Sequence, residues 1–239
     1  ATAQTNIVDG VSYVTNTYWL GADDVPPHLI ITNAATLSTT ADSGLAPLSS
    51  LTGSTAVIPG DGSCWSNVLN FYAGRSSGQH EVDVRLGGEL YCRNAYLGDQ
   101  EGSDSNRLTV SGSGSRMNTV LELYVGVTGA YNRLEILNGA VVTAGYPRVG
   151  ARYAVTNHHN SLLVSGPGSR LQGYNAIVAW RGTHNSLVVS NGASVYFEDA
   201  CSISHYAEAG SNSIHVTGSG TTFRCDQMQV GYEGFSSTL

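Results

Sequence analysis

The sequence predicts an all-β fold, a single-stranded parallel β-helix (β-solenoid) with a right-handed path, about 26 residues per rung and two alternating rung types. Three observations predict it. One motif returns at a near-constant interval, the apolar residues inside each copy alternate with polar ones, and Gly or Asn punctuates every copy where the chain must turn.

The motif is clearest at residues 106–126, NRLTVSGSGSRMNTVLELYVG. It holds an Asn, apolar residues two and four places on, a Gly-x-Gly-Ser turn, and a closing Leu-x-Val-Gly. With Asn106 as origin, the equivalent positions are Pro27, Ser54, His80, Asn106, Asn132, Asn160, Asn185, Asn212 and Ser237, separated by 27, 26, 26, 26, 28, 25, 27 and 25 residues. A fixed period of this size marks a solenoid, in which each repeat buries its apolar face only against its neighbours. One rung type carries Gly-x-Gly-Ser/Thr, at Gly60, Gly112, Gly166 and Gly218. The other carries Asn-Gly-Ala or a relative, at Asn33, Leu86, Asn138 and Asn191.

The elements follow in order. Residues 1–26 are expected to hold an incomplete rung, because Leu20-Gly21 matches only the closing half of the motif. Residues 27–239 form the β-helix repeats as one elongated domain, with a looser excursion near 38–53 where the pattern fades. From Ser54 each rung offers three strands. The first is x-Leu-x-Val, the second follows the Gly turn, and the third ends at Val-Gly. Alternation within each strand assigns Leu108, Val110, Met117, Leu123, Val125, Leu134 and Ile136, and later Val216, Phe223 and Val230, to the interior. Neighbouring rungs lie about 4.8 Å apart, so the repeats make a rod roughly 40 Å long. The Asn residues recur at one corner of five successive rungs, where amides stack as a hydrogen-bonded ladder. Their role is structural.

Composition excludes several partners. The net charge is −7, and the 11 basic residues are all Arg, scattered from Arg75 to Arg224. A nucleic acid or an anionic membrane would require a basic stripe. No apolar run reaches the ~20 residues of a membrane span, so no membrane insertion is expected. Ala1-Thr2-Ala3 reads as the remnant of a cleavage site in a secreted chain. Cys64, Cys92, Cys201 and Cys225 have no metal-binding Cys-x-x-Cys spacing. The register keeps their Cα atoms beyond the ~7 Å that a disulfide spans, which predicts four free thiols.

The repeat, Asn-Ser-Leu-x-Val-Ser-Gly-x-Gly-Ser followed by Val-Gly and Asn-x-Leu-x-Ile-x-Asn-Gly-Ala, resembles those of bacterial secreted and surface β-helix proteins. These are the autotransporter-passenger and adhesin type, within the wider pectin-lyase-like group. The resemblance covers residues 27–239 and implies a secreted or cell-surface location. Such families include adhesins and scaffolds as well as polysaccharide lyases and hydrolases, and fold does not choose among them.

Two stretches bear on chemistry. Asp99, Glu101 and Asp104 crowd the corner loop before Asn106, where hard oxygen ligands suit Ca²⁺ if any cofactor binds. His159 and His184 each precede the origin Asn of adjacent rungs, with His158 beside them. Trp180, Arg181, His205, Tyr206, Glu208 and Tyr153 belong to the same corner. Aromatic rings with Arg and His suit a glycan, imidazoles can hold a transition metal, and a His can act as an acid or base near neutral pH. No catalytic residue is assigned. A cross-rung pair is expected between Glu81 and Arg107, and Leu163 with Val188 makes a small apolar patch.

Two functions are carried forward. The first is an extracellular structural or adhesive protein; the alternative is a carbohydrate-active enzyme or glycan-binding module. The first rung and Leu239 leave strand edges that either a second copy, stacked head to tail into a filament, or further repeats of a longer chain would cover.

Overall fold

A computed structural model describes residues 5–21, 27–47, 51–150, 157–231 and 233–239. Among them there is no helix, and the strands wind into a parallel β-solenoid. The first face is a nine-stranded sheet running from Thr5–Asp9 through Arg107–Ser111 to Ser213–Thr217. Each of its strands after the first begins one residue past the predicted origin, as in the in-register pairs Glu81↔Arg107↔Arg133↔Ser161. The second and third faces merge into one 16-stranded sheet. They merge because two long strands, Arg116–Val125 and Val141–Val149, run on around the corner between these faces, with a register shift between Thr119 and Glu122.

The first segment departs from expectation. Instead of an incomplete rung, residues 5–20 supply a strand to each face: Thr5–Asp9, Ser12–Thr15 and Trp19–Leu20 pair with His28–Thr32, Thr36–Thr39 and Ser43–Leu45. The same pairs carry the second and third faces into the region expected to be a looser excursion; residues 48–50 of it lie outside the described residues.

The alternation of rung types has a physical cause. Both types set two residues of the first corner in the left-handed region, Gly112 and Gly114 in one and Asn138 and Gly139 in the other. The Ser115 hydroxyl accepts the Gly87 N–H of the rung before it at 3.0 Å and donates to the Ser111 carbonyl at 2.6 Å. Ser169 does the same for Gly139, and Thr221 for Gly192. One rung type supplies the hydroxyl, and its neighbour supplies the amide that needs it.

The interior is a stack of short apolar columns such as Val84, Val110, Ile136, Val164 and Val189, all fully buried. Volume is exchanged between positions: where Trp65 and Phe71 meet edge to face at 5.0 Å, the same rung has Ala56 and Ala73 in register with the larger Val82 and Leu97 of the next. Three predicted interior positions differ. Val216 and Val230 are 40% and 46% exposed and Phe223 is half-buried, because the last described rung is covered from one side only.

All four cysteines are free thiols. Burial pushes Cys92 up to about 12 and raises Cys201 further, and burial followed by the Glu89 carboxylate pushes Cys64 up to about 11. Thiolate is the reactive form. A thiol reagent at pH 8 should therefore label the native protein slowly and count four thiols in denaturant without reductant. A denatured count of two or zero would contradict the register.

Candidate functional site

The candidate site lies on the corner that leads from the third face back to the first. Its frame is the asparagine ladder. Asn106, Asn132, Asn160, Asn185 and Asn212 are all at most 1% exposed. Each Oδ1 from Asn132 onward accepts the backbone N–H of the ladder residue one rung earlier, at 2.9, 2.9, 3.0 and 2.8 Å. The ladder extends past the asparagines: Asn106 Oδ1 accepts the His80 N–H at 3.1 Å, and His80 Nδ1 accepts the Ser54 N–H at 3.1 Å. The Gly that closes the motif is the ladder's counterpart across the corner. A Cβ on Gly126, at φ 79°, would collide with the Asn160 amide, so both the positive φ and the close approach require Gly there.

One residue before the ladder, the backbone is left-handed in every rung from Gln79 on. Ser105, Tyr131, His159, His184 and Ser211 all have φ between 54° and 59°. This conformation turns the following amide inward and leaves the residue's own side chain exposed, lining up one outer column. In that column Tyr131, His159 and His184 stack, with ring centroids 5.0 and 4.8 Å apart. His158 meets His159 edge to face, their Nδ1 atoms 3.1 Å apart, one donating to the other. Slight desolvation and then the adjoining His184 and His158 hold the His159 pKa below the usual imidazole value.

The other predicted residues gather at the opposite end of the same corner loops. Trp180 stacks on Tyr206 at 6.2 Å, and His205 packs edge-on against both. The Arg148 guanidinium lies 5.5 Å from the Trp180 ring, and that of Arg181 lies 5.1 Å from Tyr206 while reaching Glu208 at 4.0 Å. The eight predicted residues thus form two groups, each built around a stack of rings. Tyr153 lies outside the described residues. Tyr131 and Arg148 were missed by sequence reasoning, although Tyr131 has the same offset from its ladder Asn as His159 and was legible on that ground.

The acidic loop does not assemble. Asp104 Oδ1 accepts the Ala130 N–H at 2.7 Å, Glu101 is exposed, and burial is the main cause of a raised Asp99 pKa. Among the described residues no three His, Cys, Asp or Glu side chains converge to hold a metal ion, at this loop or among the histidines. The stacked His159 and His184 rings, 10° from parallel, direct their nitrogens alongside one another rather than to a common point.

The first face also rearranges an expected pair. Arg107 reaches Glu135 rather than Glu81, with Nε to Oε2 at 2.7 Å, and Arg133 holds the other oxygen at 2.6 Å. The register stacks Arg107 directly on Arg133, and the 4%-exposed Glu135 between them relieves the like-charge contact. Leu163 and Val188 pair in register, each half-buried.

A further aromatic column runs along the third face. Tyr72, Tyr96 and Tyr124 stack at 5.1 and 5.4 Å, and Arg75 covers the Tyr72 end. The stacked rings spend their faces on one another and turn their edges outward. Desolvation is the first cause of the raised pKa of Tyr72 and Tyr96, each pushed up to about 12. With these geometries in hand, the chain matches no protein-family model, no curated protein and no solved structure.

Proposed function

We propose that this chain is a non-enzymatic structural or adhesive β-solenoid of the cell exterior, acting through its outer faces. The observation that carries the reading is the stacking of Tyr131, His159 and His184 along the solenoid axis. The imidazoles best placed for acid–base work are spent on one another as a rib that continues the buried ladder outward. General acid–base catalysis needs the group within reach of a substrate proton with its pKa near the working pH. Stacking fixes the rings against one another, and slight desolvation followed by the adjoining His184 and His158 lowers the His159 pKa.

The polar surface suits an exposed rod, and two edges suit association. Ile7, Val11 and Val14 at one edge, and Val216, Val230 and Phe235 at the other, are 40–69% exposed. A second copy or further repeats would cover them by parallel strand addition.

Screening acidic and neutral polysaccharides for binding and cleavage tests the reading. Binding without cleavage is the expected result. Cleavage that disappears in the His159→Ala, His184→Ala double variant would overturn it in favour of the carbohydrate-active enzyme.

A further inference from the structure

A concavity lies away from the histidine corner, where the second face turns into the third. It is a cleft of about 420 Å³, in the size range of small-molecule sites, ~300–1,000 Å³. Its floor is kept low by small residues that nothing larger could replace. A Cβ on Gly145 would lie 2.8 Å from the Val120 carbonyl oxygen, and one on Gly173 2.6 Å from that of Ala144. The corner is cut back because Arg116–Val125 and Val141–Val149 run through it as continuous strands, whereas the next rungs turn out at Tyr174 and Glu198 and form a wall.

The strand register sets the chemistry of this cleft. Asn118, Thr143, Gln172 and Tyr196 pair in sequence across four rungs, all pointing outward from the second face. They present one polar side chain per rung, about 4.8 Å apart. That interval is close to the rise of one pyranose unit along an extended chain. Amides both donate to and accept from sugar hydroxyls, and a carboxylate such as Glu198 accepts from them. The Tyr174 ring is 49% exposed and meets Tyr146 edge to face, 6.0 Å between centroids at 80°, so unlike the parallel-stacked Tyr72–Tyr124 column this pair leaves Tyr174 at least one face for a sugar ring. Arg224 lies over Tyr196 at 5.5 Å, and Arg116 and Arg170 stand two residues back along the same face, outside the cleft, whose one charged lining side chain among the described residues is Glu198. With Glu198 in the cleft and a net charge of −7, a polyanionic chain is repelled.

We infer that this cleft binds a neutral, linear polysaccharide running along the solenoid axis, with Asn118, Gln172 and Glu198 bonding its hydroxyls and Tyr174 stacking on a ring. The inference rests on the adhesive reading above and supplies the class of its partner.

Calorimetric titration of the full chain with neutral β-linked xylo- and cello-oligosaccharides of increasing length, and with oligogalacturonates, tests it. Neutral oligosaccharides should bind more tightly with length until the cleft is spanned, and oligogalacturonates should not bind. Tyr174→Ala and Gln172→Ala should each weaken binding roughly tenfold, the ordinary size for truncating an anchor. Thr143→Trp, at an exposed strand position that tolerates an aromatic, should block the cleft without unfolding the protein. The His159→Ala, His184→Ala variant should bind like the parent. Absence of binding to every neutral oligosaccharide, preference for oligogalacturonate, or binding that Thr143→Trp leaves intact would overturn the inference while leaving the adhesive reading standing. Cleavage of a bound oligosaccharide would instead overturn the non-enzymatic reading and leave the site.

Discussion

Asn132→Leu is expected to destabilise the solenoid by about 4 kcal/mol, through buried donors left without acceptors at ~1–3 kcal/mol each plus the bonds themselves. Leucine matches the shape of asparagine and none of its bonding. Asn132 Oδ1 accepts both the backbone N–H and the Nδ2–H of Asn106, each at 2.9 Å, and its own Nδ2 donates to Asn160 Oδ1 at 3.2 Å. Asn106 is fully buried, so its backbone N–H would have neither a protein partner nor water. Urea unfolding followed by circular dichroism reads the effect as a lower midpoint. Ser113→Leu, on an exposed turn, is the control and should stay within ~0.5 kcal/mol. A loss for Asn132→Leu no larger than that of the control would show that the ladder is not what holds this corner.

Acidification should weaken the fold between pH 6.5 and 4, and His80 should be the cause. This residue takes the ladder position that asparagine holds in five other rungs, fully buried, with Nδ1 accepting the Ser54 N–H and Nε2 facing the Ser77 hydroxyl at 3.1 Å. Nδ1 can accept only when it carries no proton, and burial, the largest influence, lowers the His80 pKa from 6.5 to about 4. Between those values the unfolded chain binds the proton and the folded chain does not, so stability rises with pH across the window. The contribution is complete above about 6.5 and is lost as pH falls through 4, amounting to about 3 kcal/mol at 1.36 kcal/mol per pKa unit. The half-buried carboxyls of Asp83 and Asp99 have raised pKa values and act in the opposite direction. The comparison that isolates His80 is therefore with His80→Asn. Its Oδ1 can accept the same N–H and does not titrate. The variant should lose this part of the slope in midpoint against pH, and an unchanged slope would refute the assignment.

The corner chemistry was half legible. His158, His159 and His184 were placed together because a fixed period puts equal offsets in one column, and Tyr131 obeys the same rule. The groups around Trp180 and Arg181 belong to the same loops but to their other end, and a period alone does not separate the two ends of a loop. Asp99, Glu101 and Asp104 looked like ligands because they are near one another in sequence. Backbone amides and burial decide where such side chains point, and Asp104 is committed to the Ala130 N–H. The Glu81–Arg107 expectation failed for a related reason. Arg is long enough to reach diagonally, and the buried Glu135 offers a better-desolvated partner.

By itself the sequence determined the all-β class, the period, the nine origins, the ladder, the alternation of rung types and nearly all of the interior. Each of these is a local property repeated at a constant interval, and parallel stacking turns interval directly into contact. Only the tertiary structure decided what depends on the course of single rungs. It showed that residues 5–20 reach all three faces. It showed that two strands run through a corner, leaving a cleft floored by Gly145 and Gly173. It also showed that Arg107 turns to Glu135. A repeat specifies the average rung, whereas a cleft arises where neighbouring rungs differ, and that difference exists only once they are stacked.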